Sequence, residues 1–329
     1  MTPPSPGGML ITLAVLQWSL EFNVPKFRVI LVGVRELRAR RNIAIERAAE
    51  IAAGCGARLE LFHDLATPVY LDIVAGTGQS VDKLTKVARD NALRRLETLA
   101  APLRKQGLRV AVSAVWDFPP YEAVIRRASA VKADLIVVQK RGHHRLPALL
   151  GYTDWELLRA SPTPVLLIKN SRYRARAAVL AAIDPQHHTR GATALEQSIL
   201  RNAAALAGAL RAPLHAVQIL TPWASPVSQK NVVLTGLARN ATIKPRNTHL
   251  LVGNPDALLP ATARRLRAGA VVMGMMSRRG LKRLFIGNSA ERLLDDLHCD
   301  VLVVKPPKFS ARLPRARRGV YLMTSVPMA

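Results

Sequence analysis

Cysteine, aromatic residues and acidic side chains are all scarce in this chain of 329 residues, which holds two cysteines, 5% aromatics and 22 Asp and Glu against 48 Lys and Arg. Cys55 and Cys299 cannot build a disulfide framework or a multi-cysteine zinc site, and so sparing a use of cysteine fits a reducing compartment. Both lie in or beside apolar segments, which suits packing better than reactivity. With few aromatics there is no stacking platform for single-stranded nucleic acid, and no helix-turn-helix or zinc-finger spacing is present. No apolar run reaches the ~20 residues a bilayer requires; the best, MLITLAVLQW at 9–18, is about half that. Met1 to Gly8 carries no charged side chain, so it is not the basic start of a secretory signal. We expect a cytoplasmic protein with no membrane partner. Residues 1–25 are expected to be a packing extension or an artefact of start assignment, with the true start at Met9 or later.

Recognisable catalytic chemistry is missing as well. There is no Gly-x-Ser-x-Gly elbow, Walker loop or dinucleotide fingerprint. His143-His144 and His187-His188 have no glutamate or cysteine at helical spacing, so no metal is expected. Cys299 beside His298 is read as packing before a buried strand.

What the chain has is positive charge and apolar periodicity. Its formal net charge is +26, with basic clusters at Arg35 to Arg41, Arg278 to Arg283 and from Lys305 to Arg318, and no acidic residue follows Asp300. Such a tail, 308–329, could touch phosphate backbones without sequence preference; the competing reading is a solvated basic surface.

Continuous apolar runs at 28–34, 58–63, 109–116, 135–139 and 165–169 have buried-strand length, with helical spacing at 44–56, 81–106 and 121–131 between them. The order then recurs: runs at 177–184, 214–220, 248–253, 270–274 and 301–305, with helical patterns at 194–210 and 257–268. Leu135 and Ala270 are 135 positions apart, Val165 and Val301 136. Alternation of this kind predicts two parallel sheets in series, each covered on both faces.

Most informative is 270–305, where an apolar strand ends in Gly274, a basic loop follows, and Gly287-Asn288-Ser289 opens a helix. A worn copy lies at 133–169. Such a loop directs backbone N–H groups and a helix N-terminus at an anion. The closing run GMMSRRGLKRLFIGNSAE, the V-G-N-P at 252–255, and Trp116, Pro120-Tyr121-Glu122-Ala123 and Thr153-Asp154-Trp155 together resemble the universal stress proteins. The similarity is greatest to the tandem, two-domain E type. It implies an adenine-nucleotide-alpha-hydrolase-like five-stranded parallel sheet flanked by helices in each half. The expected domains are 26–171, with a degenerate loop, and 172–307, with a near-intact one. It further implies that the last strand of each half pairs the two domains within the chain; a homodimer stays open.

In nucleotide-binding members of that family the loop reads Gly-x2-Gly-x9-Gly-[Ser/Thr], with an aspartate after the first strand. Gly274 and Gly287 match the outer glycines here, Ser277 replaces the middle one, and Asn288 replaces the hydroxyl residue, with Ser289 next. Asp184 stands where the aspartate belongs. The candidate cofactor-binding set is Asp184, Val252, Gly253, Gly274, Ser277, Gly287, Asn288 and Ser289, for ATP or a related anion. Ser277 brings a Cβ into the cradle. The alternative is a turn whose glycines allow positive φ, with Asn288 and Glu291 as a capping pair. In the first half Gln139 replaces the first glycine and Arg35 stands at the aspartate position, so no nucleotide is expected there. Catalytic members of the fold group use His-x-Gly-His or a Ser-Gly-Gly loop, and neither occurs. The expectation is a non-enzymatic stress-response protein acting by ligand and partner binding. Its competitors are a nucleotide-free scaffold for proteins, nucleic acid or an apolar small molecule, and a weak ATPase.

Overall fold

The computed structural model describes residues 26–65, 69–70, 81–140, 153–169, 177–184, 190–220, 243–275, 293–311, 313 and 322–323. They fall into two compact units, one built on 27–169 and the other on 170–308, with the described residues from Phe309 onward belonging to the first.

In the first unit β1 (Val29–Gly33) leads to α1 (Ile43–Cys55), β2 (Arg58–Asp64), the short β3 (Val69–Tyr70), α2 (Val81–Lys105) and β4 (Val110–Val115). Then come α3 (Pro120–Ala130), β5 (Leu135–Gln139), α4 (Thr153–Ala160) and β6 (Val165–Ile168). The sheet order is β4-β2-β1-β5-β6, and every pairing is parallel. Helix α1 starts where the Asn42 side chain accepts the Ile45 N–H at 3.1 Å, and ends at Gly56, φ 74°, in the left-handed region. Val69–Tyr70 pairs in parallel with β12 (Leu322–Met323), two residues from each side that no periodicity foretells.

The second unit runs β7 (Ala178–Ile183), α5 (Arg190–Leu210), β8 (Leu214–Leu220), β9 (Thr248–Val252), α6 (Pro255–Arg265), β10 (Ala268–Gly274) and β11 (Asp300–Val304). Its order, β9-β8-β7-β10-β11, repeats that of the first unit, again all parallel. Asn254 caps α6 by accepting the Asp256 N–H at 3.0 Å, with Pro255 in the first turn where a missing N–H costs nothing. The cores are the expected apolar runs: Ile30, Leu31, Val32, Leu135, Ile136 and Val137 in one sheet, Val179, Leu180, Val271, Val272, Val301 and Leu302 in the other, are essentially sealed from solvent.

In both units the chain adds strands to one side of the first strand and then reverses to the other. That reversal lies between β1 and β5, and again between β7 and β10. A crevice opens outside the carboxyl ends of strands at such a point. Among the described residues no helix is long and apolar enough to cross a membrane.

Candidate functional site

The reversal in the second unit brings two expected site residues together. Met273 is in register with Ala182, so Gly274 at the end of β10 is level with Ile183, and Asp184 follows immediately, exposed. Gly274 has a packing reason to be glycine. A Cβ there would sit 2.7 Å from Leu195 Cδ2 and 3.0 Å from Ile199 Cδ1, both on α5. The bare backbone lets the helix lie close over the strand end. Gly253 follows β9 with φ 147°, donates its N–H to the Leu220 carbonyl at 2.8 Å, and could take a Cβ only 2.9 Å from Leu258 Cδ1. Val252, 54% exposed, and Gly253 therefore sit at the end of the edge strand, two strands from Asp184. That separation is on the order of 10 Å. Ser277, Gly287, Asn288 and Ser289 lie outside the described residues.

Beneath the Asp184 end are two polar side chains that sequence reasoning did not single out. Glu196, on α5, is 5% exposed, and Gln218, on β8 in register with Ile183, is 1% exposed. The Asp184 backbone N–H donates to the Glu196 carboxylate. The Glu196 Oε2 and both ends of the Gln218 amide find no hydrogen-bond partner among the described residues. Each such group costs ~1–3 kcal/mol when left unsatisfied. Burial pushes the Glu196 carboxyl up to about 7; the Asp184 N–H opposes that rise and the Asp184 charge adds to it. The signal was in the sequence: a glutamate between Leu195 and Ile199, on the apolar stripe of an otherwise regular helix.

The first unit places an ion pair at the matching position. Gly33 is in register with Val138, so Arg35 and Gln139 occupy the positions of Asp184 and Gly274. Arg35 forms an ion pair with Asp154 at the start of α4, both largely buried, and its Nη1 donates to the Gln139 carbonyl at 3.4 Å. A guanidinium held by a carboxylate thus stands at that strand end. The rest of the first-half loop, 141–152, lies outside the described residues.

Two more first-half markers, Tyr121 and Glu122, join a polar network with Asp117 and Arg126. Arg126 donates twice to Asp117, at 2.8 Å each, and once to Glu122 at 2.8 Å. Tyr121 donates to Glu122 at 3.0 Å, and burial, then that hydrogen bond, pushes its hydroxyl up to about 12. Trp116 Nε1 donates to the Thr85 carbonyl at 3.3 Å. Separately, Arg127 and Ser113 both donate to the buried Glu60. These contacts tie α3 to β2, β4 and the turn before it.

His215 and His249 face each other at 3.1 Å on β8 and β9, with burial lowering both from the usual histidine range. No group of three or more His, Cys, Asp or Glu gathers among the described residues in a way that could hold a metal ion.

The strand order β4-β2-β1-β5-β6, parallel throughout and repeated as β9-β8-β7-β10-β11, defines a tandem α/β protein. The sequence profile of the Universal stress protein family matches residues 26–169 and 178–305, and the chain belongs to that family. Two copies in series make it a tandem protein of the E type. It is 30% identical to Universal stress protein E of Escherichia coli (strain K12) over 222 residues, 62% of this chain and 70% of that one. It is 25% identical to Universal stress protein E of Photorhabdus laumondii over 295 residues, 83% of this chain and 94% of that one. Among solved structures, a functionally unknown protein of Pseudomonas aeruginosa PAO1 superposes with a TM-score of 0.64 at 26% identity, covering 88% of this chain and 95% of its own. A universal stress protein of Archaeoglobus fulgidus gives 0.64 at 16% identity, covering 84% and 97%, and shows the same fold.

Proposed function

We propose that the second unit binds an adenine nucleotide or a related anion, with ATP the first ligand to test, and that the chain works by binding ligands and partners rather than by turnover. The observation that carries this is the meeting of Asp184 and Gly274 at the strand reversal, the place where an open parallel sheet takes its ligand. From there the sequence runs into Ser277, a basic loop and Gly287-Asn288-Ser289, a set of backbone donors and cations suited to phosphate. Asp184 offers an acceptor for a nucleoside hydroxyl or amine. The first unit, with Arg35 paired to Asp154 at that strand end, takes no nucleotide and serves as structural partner. Among the described residues the carboxylates at this strand end of the second unit, Asp184 and Glu196, are the candidates for a general base, and phosphate release insensitive to both Asp184→Asn and Glu196→Gln removes the weak-ATPase alternative.

Titration calorimetry with ATP tests the proposal. A saturable heat, abolished by Gly287→Trp and weakened at least tenfold by Asp184→Ala, is the expected result. No heat at millimolar ATP contradicts it. The nucleotide-free scaffold draws on one observation, that Gly274 is already required to be glycine by Leu195 and Ile199.

A further inference from the structure

We propose that Glu196, with Gln218 beside it, is the inner polar wall of the Asp184 site: one carboxyl oxygen holds the Asp184 main chain, and the other receives a hydrogen bond from an amino group of the ligand. This deepens, and rests on, adenine-nucleotide binding by the second unit. Glu196 is a positioning residue through its first oxygen and a ligand-contacting residue through its second.

The placement comes from helix and sheet together. Gly274 touches Leu195 and Ile199, so the face of the sheet bearing Gly274 is the one α5 covers. Ile183 and Gln218, level with each other and with Gly274, point to that same face, since side chains in register share a side. Glu196 reaches this spot from above, through the Asp184 N–H. Three buried polar atoms at one strand end, Glu196 Oε2 and the Gln218 Oε1 and Nε2, are without partners among the described residues. A carboxylate oxygen and a carboxamide together ask for a group that donates to both and accepts once. An exocyclic amine next to a ring nitrogen does this, and a Gln carboxamide pairs with that edge of adenine in other settings. A phosphate oxygen, which only accepts, does not.

Charge supports the assignment. Burial holds the Glu196 carboxyl near neutrality. Among the described residues of the elements packed on α5, Asp184 after β7 is the charged group acting on it; β10 carries none, and Asp300 starts β11 at the far end. The buried Lys305 follows Val304 and so alternates to the face away from Gly274, and His215 of β8 lies on that other face too. Above that range the ionised carboxylate only accepts, which favours an amine donor. Below it the protonated form also donates.

The test is a comparison of ATP with ITP, whose base presents a carbonyl in place of the amine, on the full-length protein by calorimetry. Wild type should prefer ATP by about tenfold at pH 8, and that preference should shrink at pH 6. In Glu196→Gln the amide oxygen still accepts the Asp184 N–H while its NH2 faces the ligand. The preference should therefore reverse towards ITP and lose its pH dependence, with a cooperative melt showing that the variant is folded. A variant with the wild-type ATP:ITP ratio and pH profile overturns this inference while leaving nucleotide binding intact. Equal binding of ATP and ITP by wild type at both pH values also overturns it, because then the orphaned atoms serve a buried water or nothing. Absence of binding by either nucleotide overturns both this inference and the proposed function.

Discussion

At Gly274 one hydrogen atom in place of a methyl group decides how closely α5 lies over the end of β10. Gly274→Ala would press a Cβ against Leu195 and Ile199, the former within 2.8 Å at two atoms. We expect a loss of ~1–3 kcal/mol, the usual cost of overpacking. Urea unfolding should show a lower midpoint and an unchanged slope. Glu196 makes a second prediction at this scale. Its folded carboxyl titrates at about 7 against an ordinary value of 4.5. A raised carboxyl favours the folded state fully below the unfolded value, and that contribution is lost as pH rises through the folded one. The wild-type melting temperature should therefore fall between pH 5 and pH 8, by a free energy on the order of 3 kcal/mol. Glu196→Gln should flatten the fall. A variant that tracks wild type across that window places the carboxyl at its ordinary value.

At the scale of elements, three helices leave through a basic residue in the left-handed region: Lys132 after α3, Arg211 after α5 and Arg267 after α6, with φ of 52°, 50° and 51°. A Cβ is unfavourable there by ~1–2 kcal/mol. Gly56, at the exit of α1, shows the relaxed solution. Replacing any one of the three with glycine should raise stability by about 1 kcal/mol, offset in part by chain entropy, and chemical denaturation would measure it. Lys132 and Arg267 are 135 positions apart, the same offset as Leu135 and Ala270, so the exit itself is repeated. In contrast, the Arg126 fork holds Asp117 and Glu122, each mostly buried. Arg126→Met should cost ~3 kcal/mol, because it strands two carboxylates.

Elements were legible in the sequence where burial is two-sided. The runs at 135–139 and 214–220 match their strands residue for residue, and most other boundaries shift by one or two positions. Helix α5 begins at Arg190, before the apolar stripe that marks it from 194. The pair β3 and β12 was not legible, since two residues carry no period. Half of the candidate site was legible for a physical reason as well. Asp184 and Gly274 end strands, so their meeting follows from strand order alone. Glu196 lies on the apolar stripe of its helix, a signal that it is buried, but what it and Gln218 fail to bond shows only in the fold. Arg35 was read as a missing acceptor, and only the fold shows Asp154 and the Gln139 carbonyl answering it.

Across the whole molecule, the two units share one strand order and carry different side chains at the end of the central strand. The first unit sets Arg35 against Asp154 there; the second has Asp184, with the buried Glu196 and Gln218 behind it. The net charge of +26 adds a separate expectation for the basic tail, 308–329; Lys305, just before it, is buried. Any association with nucleic acid through the tail should fall steeply between 50 and 200 mM salt, roughly as counterion release dictates. The asymmetry between the units predicts a count. Native mass spectrometry of the full-length chain with ATP should show one nucleotide per chain and none after Gly287→Trp, with Arg35→Ala leaving the wild-type count unchanged. Two nucleotides per chain, or one that survives Gly287→Trp, would contradict the account.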